Sequence, residues 1–214
     1  MTFYRISDNS FGTGGKSYPW AYGYGPLESG MPFLHPLVLE MKQKAWELSS
    51  RPEGIELSNK GIKWPDVLGC GGGPPREFYS KRVIEGLERI GAPPYRVTHM
   101  PIGQIVEGKQ GKQISQMPRP EYYVIETSPG IEVAWHKMGV PTDEANNAIM
   151  KPRPKPWPPK KWKVLETSWN GQDLFTWKNF KTTDRTDLLC TEKVKELAEE
   201  EGWTNIAFQP LETI

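Results

Sequence analysis

The sequence is poor in the residues that most often carry chemistry. Its 214 residues include two cysteines, Cys70 and Cys190, and three histidines, His35, His99 and His136. Two distant cysteines match neither the disulfide framework of a small secreted scaffold nor a metal-binding spacing, so no metal ligand set is read here. A surplus of either charge is missing too. The 27 Lys and Arg residues against 26 Asp and Glu leave a net charge of +1, which directs the whole molecule toward neither nucleic acid nor an acidic surface. No apolar run approaches the roughly 20 residues of a membrane span. The opening Met1-Thr-Phe-Tyr-Arg-Ile-Ser-Asp8 lacks the basic and apolar regions of a signal peptide. These absences predict a chain that works in a reducing cytoplasm with both thiols free, without a membrane partner and without a cofactor.

Glycine and proline are plentiful, at 21 each, and Trp 9, Tyr 8 and Phe 7 offset a hydrophobic content of only 36%. Large rings bury much apolar area per residue, so the chain has material for one large or two small domains with a substantial core. The glycines and prolines predict many turns and long irregular connections.

Two stretches 111 residues apart are nearly alike. Ser80-Lys-Arg-Val-Ile-Glu-Gly-Leu-Glu-Arg-Ile-Gly91 and Thr191-Glu-Lys-Val-Lys-Glu-Leu-Ala-Glu-Glu-Glu-Gly202 share Val83/Val194, Glu85/Glu196, Glu88/Glu199 and Gly91/Gly202. Each opens on a hydroxyl residue suited to accept an orphan N–H at a helix start. Each closes on a glycine suited to the left-handed turn that ends a helix. A strand-like run follows both, Tyr95–Val97 and Ile206–Phe208. A shorter echo, Val124-Ile-Glu-Thr-Ser128 and Val164-Leu-Glu-Thr-Ser168, reads as two strands of one sheet.

The fold class expected is α+β: a mixed sheet with two similar strand-helix-strand units and long Gly/Pro-rich loops. Residues 1–150 form an N-terminal part holding the first unit at about 64–102, and residues 151–163 form a Pro-rich basic connector. Residues 164–214 form the C-terminal unit on the same core. Further expectations are a strand at 2–6, a loop over 9–33 and a helix over 36–48 on Leu37, Met41, Ala45 and Leu48. Short strands are expected at 55–57 and 62–64, and another at 122–127.

Candidate sites are sparse. Gly12-Thr-Gly-Gly-Lys-Ser17 lacks the first glycine of a phosphate loop, since that place holds Ser10, and no helix can start at Tyr18-Pro19. Cys70, inside Gly69-Cys-Gly-Gly-Gly73, is the one thiol whose setting suits a nucleophile, and it leaves open a cysteine-dependent hydrolase. The connector Lys151-Pro-Arg-Pro-Lys-Pro-Trp-Pro-Pro-Lys-Lys-Trp-Lys163 leaves open nucleic-acid binding by charge and stacking. The rest of the chain brings no basic surplus to support that. Aromatics in exposed loops and an acidic helix surface suit a protein partner instead. On those grounds Trp157, Trp169, Trp203, Glu196, Glu199 and Glu200 are the candidate partner-binding residues.

The block Asp173-Leu-Phe-Thr-Trp-Lys-Asn-Phe180, followed by Leu188-Leu-Cys-Thr-Glu-Lys-Val194, Gly202 and Phe208, resembles the closing segment of the double-CXXCG motif proteins. Trp64 through Gly91 is similar to an earlier block of that group, and the likeness covers about half the chain. The group is associated with immunity to contact-delivered toxins, so the resemblance implies a non-enzymatic protein that holds a cognate protein toxin inactive by direct binding. The two CXXCG pairs are absent here, so the four-cysteine zinc site they would build is not carried over. Asp173, Phe175, Asn179 and Phe180 match the block and are read as scaffold residues around the last unit.

Overall fold

Short β-branched and aromatic runs bounded by glycine and proline favour short strands, and the two long amphipathic stretches favour helices. The computed structural model describes residues 1–8, 18–19, 21–25, 40, 44, 53–58, 61–70, 77–106, 112–149, 161–179 and 187–214. Its first half runs β1 (Phe3–Asp8), β2 (Ala21–Gly25), β3 (Gly54–Ser58), β4 (Val67–Gly69), β5 (Glu77–Ser80), α1 (Lys81–Arg89), β6 (Arg96–Met100) and β7 (Ile102–Val106). A short helix α2 (Lys112–Gln116) precedes β8 (Tyr122–Glu126) and β9 (Pro129–Val133). Then come β10 (Lys163–Leu165), β11 (Leu174–Trp177), β12 (Leu189–Thr191), α3 (Glu192–Glu200), β13 (Ile206–Pro210) and β14 (Glu212–Thr213). Single 3-10 turns cover Trp135–Met138 and Glu166–Ser168.

The strands form a seven-stranded sheet in the order β13-β1-β12-β11-β9-β10-β14, a four-stranded sheet β4-β5-β8-β6 and a three-stranded sheet β2-β3-β7. The large sheet is mixed, with β11 parallel to β9, β10 parallel to β14, and antiparallel neighbours elsewhere. The chain is therefore α+β. The N-terminal strand lies deep in the C-terminal sheet, where Tyr4 stands opposite both Cys190 and Pro210. Conversely, β8 lies between β5 and β6, with Tyr123 opposite Tyr79 and His99.

Among the described residues, three apolar clusters fill the interior. The first draws on both helices and on strands from both ends of the chain: Tyr4, Ile6, Val67, Tyr79, Val83, Leu87, Ile125, Cys190, Val194, Leu197 and Trp203. The second joins Ala21, Ile55, Leu57, Leu68, Cys70, Phe78, Met100, Tyr122 and Val124. The third holds Phe3, Ile131, Val133, Trp135, Trp162, Phe175, Trp177 and Leu189. Strand alternation explains the division, because neighbours such as Phe3 and Tyr4 point to opposite faces of the sheet and enter different clusters.

Several sequence expectations change. Residues 21–25, expected inside a loop, form β2 because their backbone pairs with β3. Residues 62–64 form no strand. The echo at 124–128 and 164–168 joins unlike elements: Val124 lies in the four-stranded sheet, whereas Val164 lies in the seven-stranded one and runs into a 3-10 turn. Ser80 and Thr191 do occupy the first cap positions of α1 and α3, but neither hydroxyl caps a backbone N–H. Each donates instead to a carboxylate, Ser80 to Asp66 and Thr191 to Asp173. Gly91 and Gly202 end their helices at φ of 72° and 63°, the left-handed region that a Cβ would strain. Most of the helix expected at 36–48 lies outside the described residues, of which Glu40 and Lys44 form an ion pair at 2.7 Å.

Candidate functional site

The densest polar cluster lies where the first helix meets the chain's last turn. Asp66 Oδ1 accepts the Ser80 hydroxyl at 3.0 Å. Its Oδ2 accepts the Thr204 N–H and hydroxyl, both at 2.9 Å, and the Arg82 guanidinium at 3.4 Å. Thr204 Oγ1 in turn accepts the Asp66 N–H at 2.9 Å. Arg82 and Arg89 also pair with Glu201, whose Oε2 accepts the Trp203 indole N–H at 2.7 Å. A shallow depression of about 340 Å³ opens beside this cluster between Trp64, Asp66, Arg82 and Glu121. Its charges are spent on one another, with Lys81 pairing Glu121 at 3.6 Å, so the cluster ties two distant segments together.

A second cluster joins β1 to α3. The Tyr4 hydroxyl donates to Glu192 at 2.5 Å, Lys195 bridges Glu192 and Glu199, and its ammonium lies 5.5 Å from the Tyr4 ring centroid. The Tyr4 hydrogen bond, then that of Lys195, holds the Glu192 carboxyl below the ordinary glutamate range. The same hydrogen bond to Glu192 pushes the Tyr4 phenol up, and the bonds to Glu192 and Glu199 push the Lys195 ammonium up.

The predicted partner-binding residues separate. Trp203 is only 7% exposed and sits in the first core cluster, which removes it from any surface. Its neighbours dictate this: the indole covers Gly86, where an added Cβ would stand 2.8 Å from Trp203 Cζ2. Trp169 is half-buried, packs edge-on against Phe3 with centroids 5.5 Å apart, and donates its N–H to the Gln172 carbonyl at 2.9 Å. Glu196, Glu199 and Glu200 do stand exposed on one helix, as a surface role requires, and Glu199 is partnered by Lys195. Trp157 lies outside the described residues, as does Phe180.

The other block residues have partners inside the fold. Asp173 takes the Thr191 hydroxyl at 2.7 Å and Lys193 at 2.9 Å. Phe175 is fully buried against Phe3 and the bare backbone of Gly130. The Asn179 amide pairs with the Val133 N–H and C=O at 2.8 and 2.9 Å, imitating one more residue of a strand. Asp173 precedes β11 and Phe175 lies within it.

Cys70 is buried in the second cluster, and its backbone bridges to Ala21 in a parallel sense. Cys190 is fully buried, and desolvation pushes its thiol far above the ordinary range. Of the basic connector, residues 161–163 are described. Trp162 is buried and stacks on Trp177 with centroids 5.3 Å apart, and Lys163 pairs with Glu212 at 2.8 Å, so neither side chain is presented to a base or phosphate. Among the described residues, no group of three or more His, Cys, Asp or Glu side chains stands close enough to hold a metal ion. Among them, too, no helix is long and apolar enough to cross a membrane.

One surface feature had only a faint sequence signal. Among the described residues, strand β6 ends the four-stranded sheet, with a strand partner on one side of its backbone. The residue before it, Tyr95, is 73% exposed, and Val97 and His99 on the strand are exposed as well. Pro93-Pro94 before the strand and Pro101 after it were the available sign, because prolines bound edge strands whose donors must not run on. No protein-family model matches the chain, and no curated protein matches it.

Proposed function

We propose that this chain is a protein-binding module built from two similar strand-helix-strand units, and that it acts as an immunity-type protein that neutralises a cognate protein toxin by direct binding. The observation that carries the reading is the β6 edge, which has no further strand beside it among the described residues and where Tyr95 and Val97 are exposed. Exposed tyrosine gives rigid contact area at low entropic cost, and an open strand edge offers main-chain hydrogen bonds to a partner. The exposed carboxylates Glu196, Glu199 and Glu200 support the same reading by offering a second surface to a basic partner. Occlusion of the toxin by a preformed surface needs no chemistry from this chain.

The test is co-expression with the product of the adjacent gene in a growth assay. Rescue of growth together with a co-purifying complex is the expected outcome. Growth arrest by an active toxin in the presence of this folded chain would defeat the proposal. Tyr95→Ala and Val97→Asp are expected to weaken the complex at least tenfold, a hot-spot-sized loss.

A further inference from the structure

We infer that the chain consists of two copies of one half that have exchanged their first strands, which makes β1 the clip that completes the C-terminal half. The four-stranded order β4-β5-β8-β6 has the same plan as the run β11-β12-β1-β13 inside the large sheet. Each contains a strand, a nine-residue helix and a strand, with one antiparallel strand inserted between the two strands. The helix ends match bond for bond: the Ala92 N–H donates to Leu87 C=O, and the Trp203 N–H to Ala198 C=O.

The registers coincide as well. Tyr123 faces Tyr79 and His99, and Tyr4 faces Cys190 and Pro210. Ile125 faces Val97, and Ile6 faces Phe208. The single separation of 111 positions already seen in the helices relates Tyr79 to Cys190, Val97 to Phe208 and His99 to Pro210. In that superposition β8 falls on β1. The likeness continues beyond the helical units. In the order β2-β3-β7 an antiparallel pair is followed by a parallel one, and β9-β10-β14 does the same. The parallel bridge between Ala21 and Cys70 repeats the parallel pairing of Ile131 with Trp177. Among the described strands, only the first of each half lies in the other half's sheet.

Chain reach explains why the exchange is fixed. Thr127 and Ser128 alone join β8 to β9. For β8 to occupy the place between β12 and β13, it would stand three strand spacings from β9, roughly 14 Å at the usual separation. The three Cα steps from Glu126 to Pro129 span at most about 11 Å. The place in the C-terminal half must therefore be filled from elsewhere, and β1 fills it.

Arg5 reinforces the destination. It pairs with Asp187 at 2.7 Å, whereas its counterpart in β8 is Val124, buried among Phe78, Met100 and Leu68. Returned to the N-terminal half, β1 would push a guanidinium into that apolar cluster, which unpaired charges do not tolerate. Opening of β1 thus separates β12 from β13 while leaving the four-stranded sheet of the N-terminal half intact.

Hydrogen exchange on the full-length chain tests this with two equivalent variants, Ile6→Ala and Ile125→Ala. Ile6→Ala is expected to lower protection at least tenfold more in β12 and β13, whose ladders β1 joins, than in β5 and β6, since both helices line the cluster it leaves. Ile125→Ala is expected to do the reverse. Loss that follows sequence proximity, or equal loss in both halves, overturns the inference. A second readout stands even if a variant folds poorly. Under oxidation Ser7→Cys with Ala207→Cys is expected to cross-link, because the two residues face each other, and Ser7→Cys with Arg96→Cys is not. Cross-linking of the second pair in place of the first would show β1 in its own half and end the argument.

Discussion

Helix α1 carries Gly86 where helix α3 carries Leu197, and the ring over Gly86 is Trp203, whose own counterpart is Ala92. All but the glycine belong to the first core cluster. One helix is therefore small against a large partner, and the other is large where its counterpart partner is small. A close-packed interior accepts such an exchange of volumes as long as their sum fills the space. The two helices also differ in charge at their starts. The first turn of α3 opens on Glu192, which complements the positive end of a helix, whereas α1 opens on Lys81 and Arg82, which oppose it. The difference is offset from outside: Asp66 and Glu121 take the two cations of α1. The second helix needs such help for one first-turn cation only, Lys193, which Asp173 takes.

The strongest way to break this comparison is Trp203→Ala, which should cost about 3–5 kcal/mol in chemical denaturation, as for other buried large-to-small changes. Next comes Gly86→Leu, which gives α1 the residue of α3 and forces the Trp203 ring to move, at about 1–3 kcal/mol. The double variant should cost less than the sum of the two, because each change relieves the other. A strictly additive double variant would deny the exchange of volumes.

Asp66→Ala should cost about 1.5–3 kcal/mol, since it strands Ser80, Thr204 and Arg82 together. Asp173→Ala should cost less, because it strands only Thr191 and the exposed Lys193. Thermal unfolding of the pair measures this, and a larger loss at Asp173 would reverse the ranking.

A gentler probe is pH. The folded Glu192 carboxyl lies below its ordinary value, so its contribution is present above about pH 4.3 and is lost as pH falls through the folded value. The raised Lys195 ammonium contributes throughout that range and is lost only at alkaline pH, as pH rises through its folded value. Glu192→Gln should therefore flatten the fall of melting temperature between about pH 5 and pH 3. An unchanged acid limb would show that the Tyr4 bond does not couple to folding. The smallest effect is expected at Tyr95→Ala, within about 0.5 kcal/mol, because the side chain is mostly exposed. The counterpart change Ile206→Ala should cost more, since Ile206 packs against the first core cluster.

Much of the local structure was legible in the sequence. The helix pattern of Val83, Leu87 and Val194 and the terminal glycines Gly91 and Gly202 gave both long helices within a residue or two. The β-branched run at 122–127 gave β8 almost to its ends. Short strands with weak alternation were missed: Ala21–Gly25 is glycine-rich, and Glu212–Thr213 has only two residues. Such segments are strands because a neighbour supplies the ladder. The surface was harder to read. Trp203 resembled a surface anchor in sequence, yet Gly86, more than a hundred residues earlier, makes the space that buries it. Tyr95 resembled a sheet residue, yet it stands exposed just before β6, which no described strand flanks on its outer side.

By itself the sequence determined the pieces whose causes are local. These are helices made by contacts three and four residues apart, glycine turns set by φ, and the two like segments 111 positions apart. Tertiary structure alone decided which strand stands beside which, because a ladder is indifferent to the origin of its partner as long as the backbone can reach. The two-residue link at Thr127–Ser128 and the Arg5–Asp187 pair fit that arrangement only in the folded chain. In it the first strand of the chain lies in the sheet of its last third, where Tyr4 meets Cys190 and Pro210.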